Sequence, residues 1–268
     1  MSDIRIAIAG LGAIGRTLAR ALHDGIPGLR LACAAAGDRD KAQDWLDAEQ
    51  IACPLVDLSE FPAHADIAVE CAPAKLLPEI CGPMLEAGKS VIVLSCGALL
   101  PRPELIELAK AKGGTIIVPT GALLGLDAVA AAAEGEITSV RMTTRKPPGG
   151  LKGAPYLEQN GISVDGLNEA KLVFSGTARE AAMGFPANVN VAAALSLAGV
   201  GPDRTMIDIW ADPAVTRNCH SIAVEADSAN FTLAIENVPS DNPKTGRIVA
   251  LSVLATLRKL KAPLRVGT

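Results

Sequence analysis

Aromatic residues are scarce in this sequence: Phe, Tyr and Trp make up 3% of its 268 residues, and only one is a tyrosine. Hydrophobic residues nevertheless reach 49%. The core must therefore be built from Ala, Val, Leu and Ile, the composition of helices packed on a parallel sheet. No apolar run attains the roughly 18 residues a membrane span needs, although mean hydropathy is positive. The most alanine-rich stretch, 121–133, carries Asp127 and ends at Glu134. No basic run or arginine–aromatic patch marks a nucleic-acid face, and the net charge is −4. The six cysteines (Cys33, Cys53, Cys71, Cys81, Cys96, Cys219) form no Cys-x-x-Cys pair and show no zinc-finger spacing. They read as reduced thiols filling a core, and no metal site is expected. Asp3 and Arg5 flank a short strand-like run where a signal peptide would need a basic start and a long apolar segment. The expectation is a cytoplasmic protein with no nucleic-acid or membrane partner.

What is present is alternation. Strand-like runs at 4–9, 29–36, 67–72, 90–95 and 115–118 are separated by helix-like segments at 13–23, 39–49, 76–87 and 104–112. That order predicts a doubly wound parallel sheet, an α/β fold. From about residue 136 the texture changes. Segments 137–145, 205–210, 221–226 and 230–238 look like strands, and in the last Phe231, Leu233 and Ile235 alternate with Thr232, Ala234 and Glu236. Such alternation is the mark of a half-exposed, largely antiparallel, open-faced sheet. A helix is expected at 188–198, a loop at 146–153, and a terminal helix over 246–260, where Ile248, Leu251, Leu254 and Leu257 recur every three residues. The predicted organisation is a first domain over 1–120, with the C-terminal helix of 246–268 packing back on it, and a second α+β domain over 121–245.

The sharpest local motif is Gly10-Leu11-Gly12-Ala13-Ile14-Gly15, a G-x-G-x-x-G that follows a strand and opens a helix. Gly10 permits the tight turn, Gly12 lets the backbone approach a pyrophosphate, and Gly15 lets the helix pack close to the sheet. Helix-start N–H groups then meet the anion. A second strand ends at Asp38, 23 residues after Gly15, where an acid accepts hydrogen bonds from ribose hydroxyls. Asp38 favours NAD by repelling a 2′-phosphate, whereas the adjacent Arg39 can pair with one. The expectation is a Rossmann-type domain that binds NAD and tolerates NADP. Ligands sit outside the carboxyl ends of parallel strands, so Cys71-Ala72-Pro73 and Ser95-Cys96-Gly97-Ala98 should also reach the cofactor, through Cys71, Ala72, Pro73, Ser95, Gly97 and Ala98.

Several of these segments, taken with others, resemble the L-aspartate dehydrogenases. Besides the glycine turn and Ser95-Cys96-Gly97-Ala98 they are Pro119-Thr120-Gly121-Ala122, Thr144-Arg145-Lys146-Pro147-Pro148, Phe174-Ser175-Gly176-Thr177-Ala178 and Phe185-Pro186-Ala187-Asn188-Val189-Asn190. Asn218-Cys219-His220, Glu236-Asn237-Val238-Pro239 and Asn242-Pro243-Lys244-Thr245 complete the set. The resemblance covers nearly the whole chain. It implies oxidation of L-aspartate with NAD(P)+ to iminoaspartate, hydrolysed to oxaloacetate and ammonia, with the reverse amination available and a link to pyridine nucleotide biosynthesis. It also implies a reacting histidine at His220, cofactor contacts at Gly121, Leu124 and Asn190, a substrate contact at Asn188, and a homodimer formed through the second domain. One departure stands out. The family often has a Gly-Ala-x-Ala-Gly pattern where this chain reads Gly121-Ala122-Leu123-Leu124-Gly125. A backbone contact survives Leu124; a close side-chain approach does not.

Oxidising an amino acid at Cα requires handling the amine as a neutral species and holding the substrate carboxylates. Of the three histidines, His23 ends a helix and His64 sits in a loop, and both read as surface residues. His220 starts a strand and shares a face with Ile222 and Val224, which fits a sheet-face residue as well as a general acid/base. Candidate carboxylate holders are Lys146, Arg145, Thr177, Lys244 and Thr245. Lys244 and Thr245 precede the final helix, whose N–H groups favour anions; Thr177 is equally an N-cap. Arg145 and Lys146 are neighbours on an extended chain, so at most one faces a pocket. The alternatives are another two-domain reductase, similar to dihydrodipicolinate reductase or homoserine dehydrogenase, or a non-catalytic NAD-binding regulator. A dihydrodipicolinate reductase would show a pair of adjacent histidines with a nearby lysine, and no two histidines are adjacent here.

Overall fold

The structure, a computed structural model, describes residues 2–186, 189–240 and 246–267. The chain divides into two compact units, one of residues 1–119 with 250–265, the other of 120–249 with 266–268.

The first unit alternates β1 (Ile4–Ala9), α1 (Ala13–Gly25), β2 (Leu29–Ala35), α2 (Arg39–Ala48), the short α3 (Phe61–His64), β3 (Ile67–Glu70), α4 (Leu77–Glu86), β4 (Ser90–Val93), α5 (Pro103–Lys112) and β5 (Thr115–Ile117). The five strands pair in parallel in the order β2-β1-β3-β4-β5. Strand order therefore reverses between β1 and β3, the switch point at which such sheets take their ligands. Side-chain alternation on β1 sorts residues to two layers. Ile6 and Ile8 join one core with Leu18 and Leu22 of α1 and Leu46 of α2. Ala7 and Ala9 join a second core with Phe61, Ile80, Met84 and Leu105. Both faces are covered, which is why β1, β3 and β4 read as largely apolar runs, interrupted by Arg5 and ended by Glu70.

The second unit begins with α6 (Leu126–Ala132) and continues through β6 (Ile137–Lys146), α7 (Pro155–Gln159), β7 (Lys171–Thr177), α8 (Ala178–Gly184), α9 (Asn190–Ala198), β8 (Thr205–Ala211), β9 (Asn218–Ala226) and β10 (Asn230–Asn237). Its sheet runs β10-β9-β6-β8-β7. Three of the four pairings are antiparallel and β6–β8 is parallel, so the sheet is mixed, with antiparallel pairs dominant. On β9, His220, Ile222 and Val224 are buried while Ser221, Ala223 and Glu225 are exposed. Helices α8 and α9 pack on β7 and β8. Tyr156, Phe174 and Phe185 stack with ring centroids 5.1–5.5 Å apart, concentrating in one place three of the chain's few rings.

Three local expectations need correction. Strand β6 continues through Lys146, because Thr144, Arg145 and Lys146 keep pairing with Ile209, Trp210 and Ala211 of β8; the loop starts only after it. Strand β7 was hidden by its Ser-Gly-Thr end and by a register shift between Leu172 and Phe174. The helix expected at 188–198 starts at Asn190.

The last helix, α10 (Ile248–Lys261), places Val253 and Leu257 fully buried in the core shared by α1 and α2, with Leu254 and Leu260 packed beside them. Burying each of two such side chains contributes about 1.5–3 kcal/mol.

Candidate functional site

In the first unit the predicted cofactor residues gather at the carboxyl edge of the parallel sheet. Gly10 leaves β1 with φ of +102°, and a Cβ there would lie 2.6 Å from the Cys71 carbonyl oxygen. Only glycine fits that turn. At Gly15 a Cβ would overlap the Gly10 carbonyl oxygen, so this glycine allows helix and turn to close on each other. A Cβ at Gly12 would meet nothing within 4 Å. Gly12 is also the N-cap of α1, with no side-chain cap. The open helix start, with Gly12 and Ala13 exposed, suits a pyrophosphate. Leu11 is buried and Ile14 half-buried, so these two contribute backbone.

Cys71 and Ala72 are half-buried and Pro73 exposed beside this turn, and the Cys71 amide donates to Ala9 O at 2.8 Å. Ser95, Gly97 and Ala98 are half-buried in the turn after β4. Exposed Asp38 follows β2, and its Oδ1 accepts from the Lys41 amide at 3.0 Å, capping α2. Arg39 is turned to Asp57 Oδ1 (2.9 Å) and to Leu55 O (2.5 Å). Of the two residues, then, Asp38 keeps a carboxylate oxygen available, whereas the Arg39 guanidinium is occupied within the protein.

In the second unit the predicted residues converge at one end of the sheet. His220 is buried, directly opposite Thr144 on β6, and its Nδ1 lies 3.1 Å from Thr144 Oγ1. Lys146 is buried two residues further along the same face of β6. Burial holds its ammonium down to about 8, below the ordinary lysine range. Burial, reinforced by the positive Lys146, holds the His220 imidazole down to about 3, so it is neutral at pH 7. Arg145, on the opposite face, pairs with Asp212 at 2.9 Å and stacks on Trp210, 4.8 Å from the ring centroid. The pair divides as an extended chain requires, Lys146 inward and Arg145 outward.

The loop Gly121–Gly125 reaches the same end of the sheet. Asn237, the last residue of β10, donates from Nδ2 to Ala122 O at 3.0 Å, and Asn237 pairs with Asn218 two residues before His220. Leu124 is half-buried within the loop, whereas Leu123 is fully buried. Asn190 is exposed in the first turn of α9. Thr177 is spent locally. Its Oγ1 accepts from the Glu180 amide (3.2 Å) and donates to Glu180 Oε2 (2.9 Å), completing a capping box for α8. Asn188, Lys244 and Thr245 lie outside the described residues.

Three residues that organise these ends were given no role from the sequence: Thr144 and Asn237, which lie in the motif segments, and Glu70, the buried carboxylate closing β3. Glu70 did leave a signal, an acid at the end of an otherwise apolar run. Thr144 sits one period of two from Lys146. Among the described residues no group of three His, Cys, Asp or Glu is placed to hold a metal ion, and no helix is long and apolar enough to cross a membrane.

The chain matches known proteins along nearly its whole length. Residues 127–260 match the family "Aspartate dehydrogenase, C-terminal", and residues 10–119 match "Homoserine dehydrogenase, NAD binding domain". The chain is 57% identical over 267 residues to L-aspartate dehydrogenase 3 of Bordetella bronchiseptica, covering 99% of this chain and 98% of that one. It is 57% identical to an L-aspartate dehydrogenase of Bradyrhizobium diazoefficiens, covering 100% and 95% respectively. Among solved structures it is similar to aspartate dehydrogenase from Thermotoga maritima, with a TM-score of 0.76, 25% identity and coverage of 99% and 100%.

Proposed function

The chain belongs to the L-aspartate dehydrogenase family and is an NAD(P)-dependent oxidoreductase acting on the CH–NH2 group of L-aspartate; on that premise we propose that His220 is its proton carrier and Lys146 its buried carboxylate holder. The reaction oxidises L-aspartate to iminoaspartate, which water converts to oxaloacetate and ammonia. The nucleotide-binding half alone resembles a wider group that includes homoserine dehydrogenases; the second half carries the match to aspartate dehydrogenase.

The observation that carries the assignment is the buried layer in which Thr144 holds His220 Nδ1 and Lys146 follows on the same strand face. In this reading Nδ1–H donates to Thr144 Oγ1, which leaves Nε2 with the lone pair that takes a substrate proton. Burial, with a smaller push from Lys146, keeps the imidazole neutral in the free protein. A dicarboxylate bound against Lys146 offsets that smaller push and so raises the basicity of the imidazole. The imidazole then takes a proton from the substrate ammonium, or from the water that attacks the imine. The same carboxylate restores the full positive charge on Lys146.

Gly10, Gly12 and Gly15, the open start of α1, Cys71–Pro73 and residues 95–98 fit a dinucleotide, as does the carboxylate of Asp38 for its ribose. When bound, the cofactor supplies the two-electron acceptor. Because the Arg39 guanidinium is held by Asp57 and Leu55, the reading is NAD preferred and NADP accepted. Gly121, Leu124 and Asn190 complete the cofactor contacts, Leu124 through its backbone. By sequence alone Asn188, Lys244 and Thr245 are further substrate contacts, whereas the capping box accounts for Thr177. The reading further includes a homodimer formed through the second unit, in the cytoplasm, without nucleic-acid or membrane partners; light scattering of the purified protein tests the dimer.

The test of function is a panel of amino acids with NAD+ and NADP+, followed by reduced-nicotinamide absorbance. Reduction that requires aspartate is the expected result. Cofactor binding without reduction by any amino acid would instead indicate a redox-sensing regulator.

A further inference from the structure

Glu70 is the one carboxylate among the described residues buried in the first unit, 1% exposed at the carboxyl end of β3. Its backbone lies in the middle of the sheet, opposite Ala9 of β1 and Val93 of β4. Its side chain leaves the strand and bonds the segment after β4. Oε2 accepts from the Leu94 amide at 3.0 Å and the Ser95 amide at 2.8 Å, and Oε1 accepts from Ser95 Oγ at 2.9 Å.

These bonds are needed where they occur. Pairing of β4 with β5 stops at Ile92, and pairing with β3 stops at Val93. The next two amides have left the ladder, and half-buried N–H groups without partners are costly. Glu70 adds one more rung to the sheet with its side chain. Ser95 also stands at the N-cap of the short turn Cys96–Ala98 but makes no capping bond there; its hydroxyl goes to Glu70 instead. On the other side, the Cys71 amide donates to Ala9 O, and the Gly10 turn packs against the Cys71 carbonyl. Glu70 thus stands between the glycine turn, the Cys71 strand end and the Ser95 turn. Burial holds its carboxyl above the ordinary carboxylate range, with the three donors pulling against that rise. An apolar sheet holds a carboxylate only where it is well bonded, so its place there calls for a local reason.

We propose that Glu70 is a positioning residue for the dinucleotide, holding residues 94–98 in register with the ends of β1 and β3 so that the three cofactor-facing segments are preformed. The proposal rests on the assignment of residues 95–98 to the cofactor made above.

The variants discriminate by chemistry. Glu70→Gln keeps an oxygen for the two amides and turns its NH2 to Ser95 Oγ, which can accept. Glu70→Ala leaves all three donors unserved, and Glu70→Asp, one methylene shorter, cannot span to both amides. NADH affinity is measured by fluorescence titration of the purified full-length chain. Amide exchange at Leu94 and Ser95 is followed with and without NADH.

The expected result is that Glu70→Ala and Glu70→Asp raise the NADH Kd by more than about threefold, approaching tenfold for alanine, and speed exchange at both amides. Glu70→Gln should restore Kd to within about threefold of wild type. A merely structural role would lower melting temperature and leave the affinity of the folded protein unchanged. If Glu70→Ala does not fold, Glu70→Asp decides. A folded Ala or Asp variant whose Kd rises by threefold or less overturns the proposal. If NADH gives residues 94–98 no exchange protection in the wild type, the cofactor assignment of that turn fails, and the role of Glu70 fails with it. Protection in the wild type with unchanged affinity in the variants removes Glu70 alone.

Discussion

Alanine at Gly12 and alanine at Gly15 should have opposite consequences, although the two glycines belong to one motif. A methyl group at Gly12 meets no protein atom within 4 Å. Alanine is a poorer N-cap than glycine by somewhat under about 1 kcal/mol, and the loss of chain freedom in the unfolded state returns about 0.4–1 kcal/mol. The two terms offset, so the melting temperature of the cofactor-free protein should move by less than about 3 °C. The same methyl group occupies the approach to the uncapped N–H groups of α1. Losing one hydrogen bond to a charged phosphate costs about 1.5–3 kcal/mol, or roughly 10- to 150-fold in Kd. At Gly15 the methyl group overlaps the Gly10 carbonyl oxygen and lies 3.2 Å from Ile8 Cγ2, so the backbone must shift. Overpacking of this kind costs about 1–3 kcal/mol, a fall of roughly 3–10 °C in melting temperature. Thermal melts without cofactor and fluorescence titration with NADH separate the two effects. Wild-type NADH affinity in Gly12→Ala would refute the reasoning, as would a Gly12→Ala protein as unstable as Gly15→Ala.

Asp38→Ala should shift the ratio of kcat/KM for NAD+ to that for NADP+ toward NADP+ by about tenfold, the scale of one charge-assisted contact; an unchanged ratio would remove Asp38 from cofactor selection. Because the Lys146 ammonium loses its proton near pH 8 in the free protein, KM for aspartate should rise above about pH 8. In Lys146→Met it should be raised about tenfold or more at pH 7 and lose that pH dependence; a pH profile that survives the substitution would contradict this. His220 is neutral when folded down to about pH 3 but gains a proton near 6.5 when unfolded. Between these values the unfolded chain binds the extra proton, so stability falls as pH drops from about 6.5 toward 3. Denaturant titrations of His220→Asn, which cannot ionise, should show a shallower decline over that window, and an identical slope would show that another group is responsible.

The first unit was legible because buried parallel strands are written as short apolar runs, and because the glycine motif states its own geometry: Gly10, Gly12 and Gly15 each proved to have a distinct steric situation. The second unit was legible only where strands alternate cleanly, as in β9 and β10. Strand β7 was obscured by its irregular register near Phe174 and by Gly176. The site residues whose roles were not legible depend on distant pairings. Thr144 meets His220 across 76 positions, Asn237 reaches Ala122 across 115, and Glu70 bridges to Ser95 across 25. No local period records such contacts; they exist only once sheet register is set. Lys146 could be placed on the opposite side of the chain from Arg145, but the lowering of its charge by burial required the folded layer around it.

Steady-state turnover of His220→Ala with L-aspartate and NAD+, measured beside its NADH affinity, bears most directly on the proton-transfer role assigned to this layer. A loss of about 10²-fold or more in kcat with NADH affinity nearly unchanged is the predicted result. Turnover close to that of the wild type would contradict it.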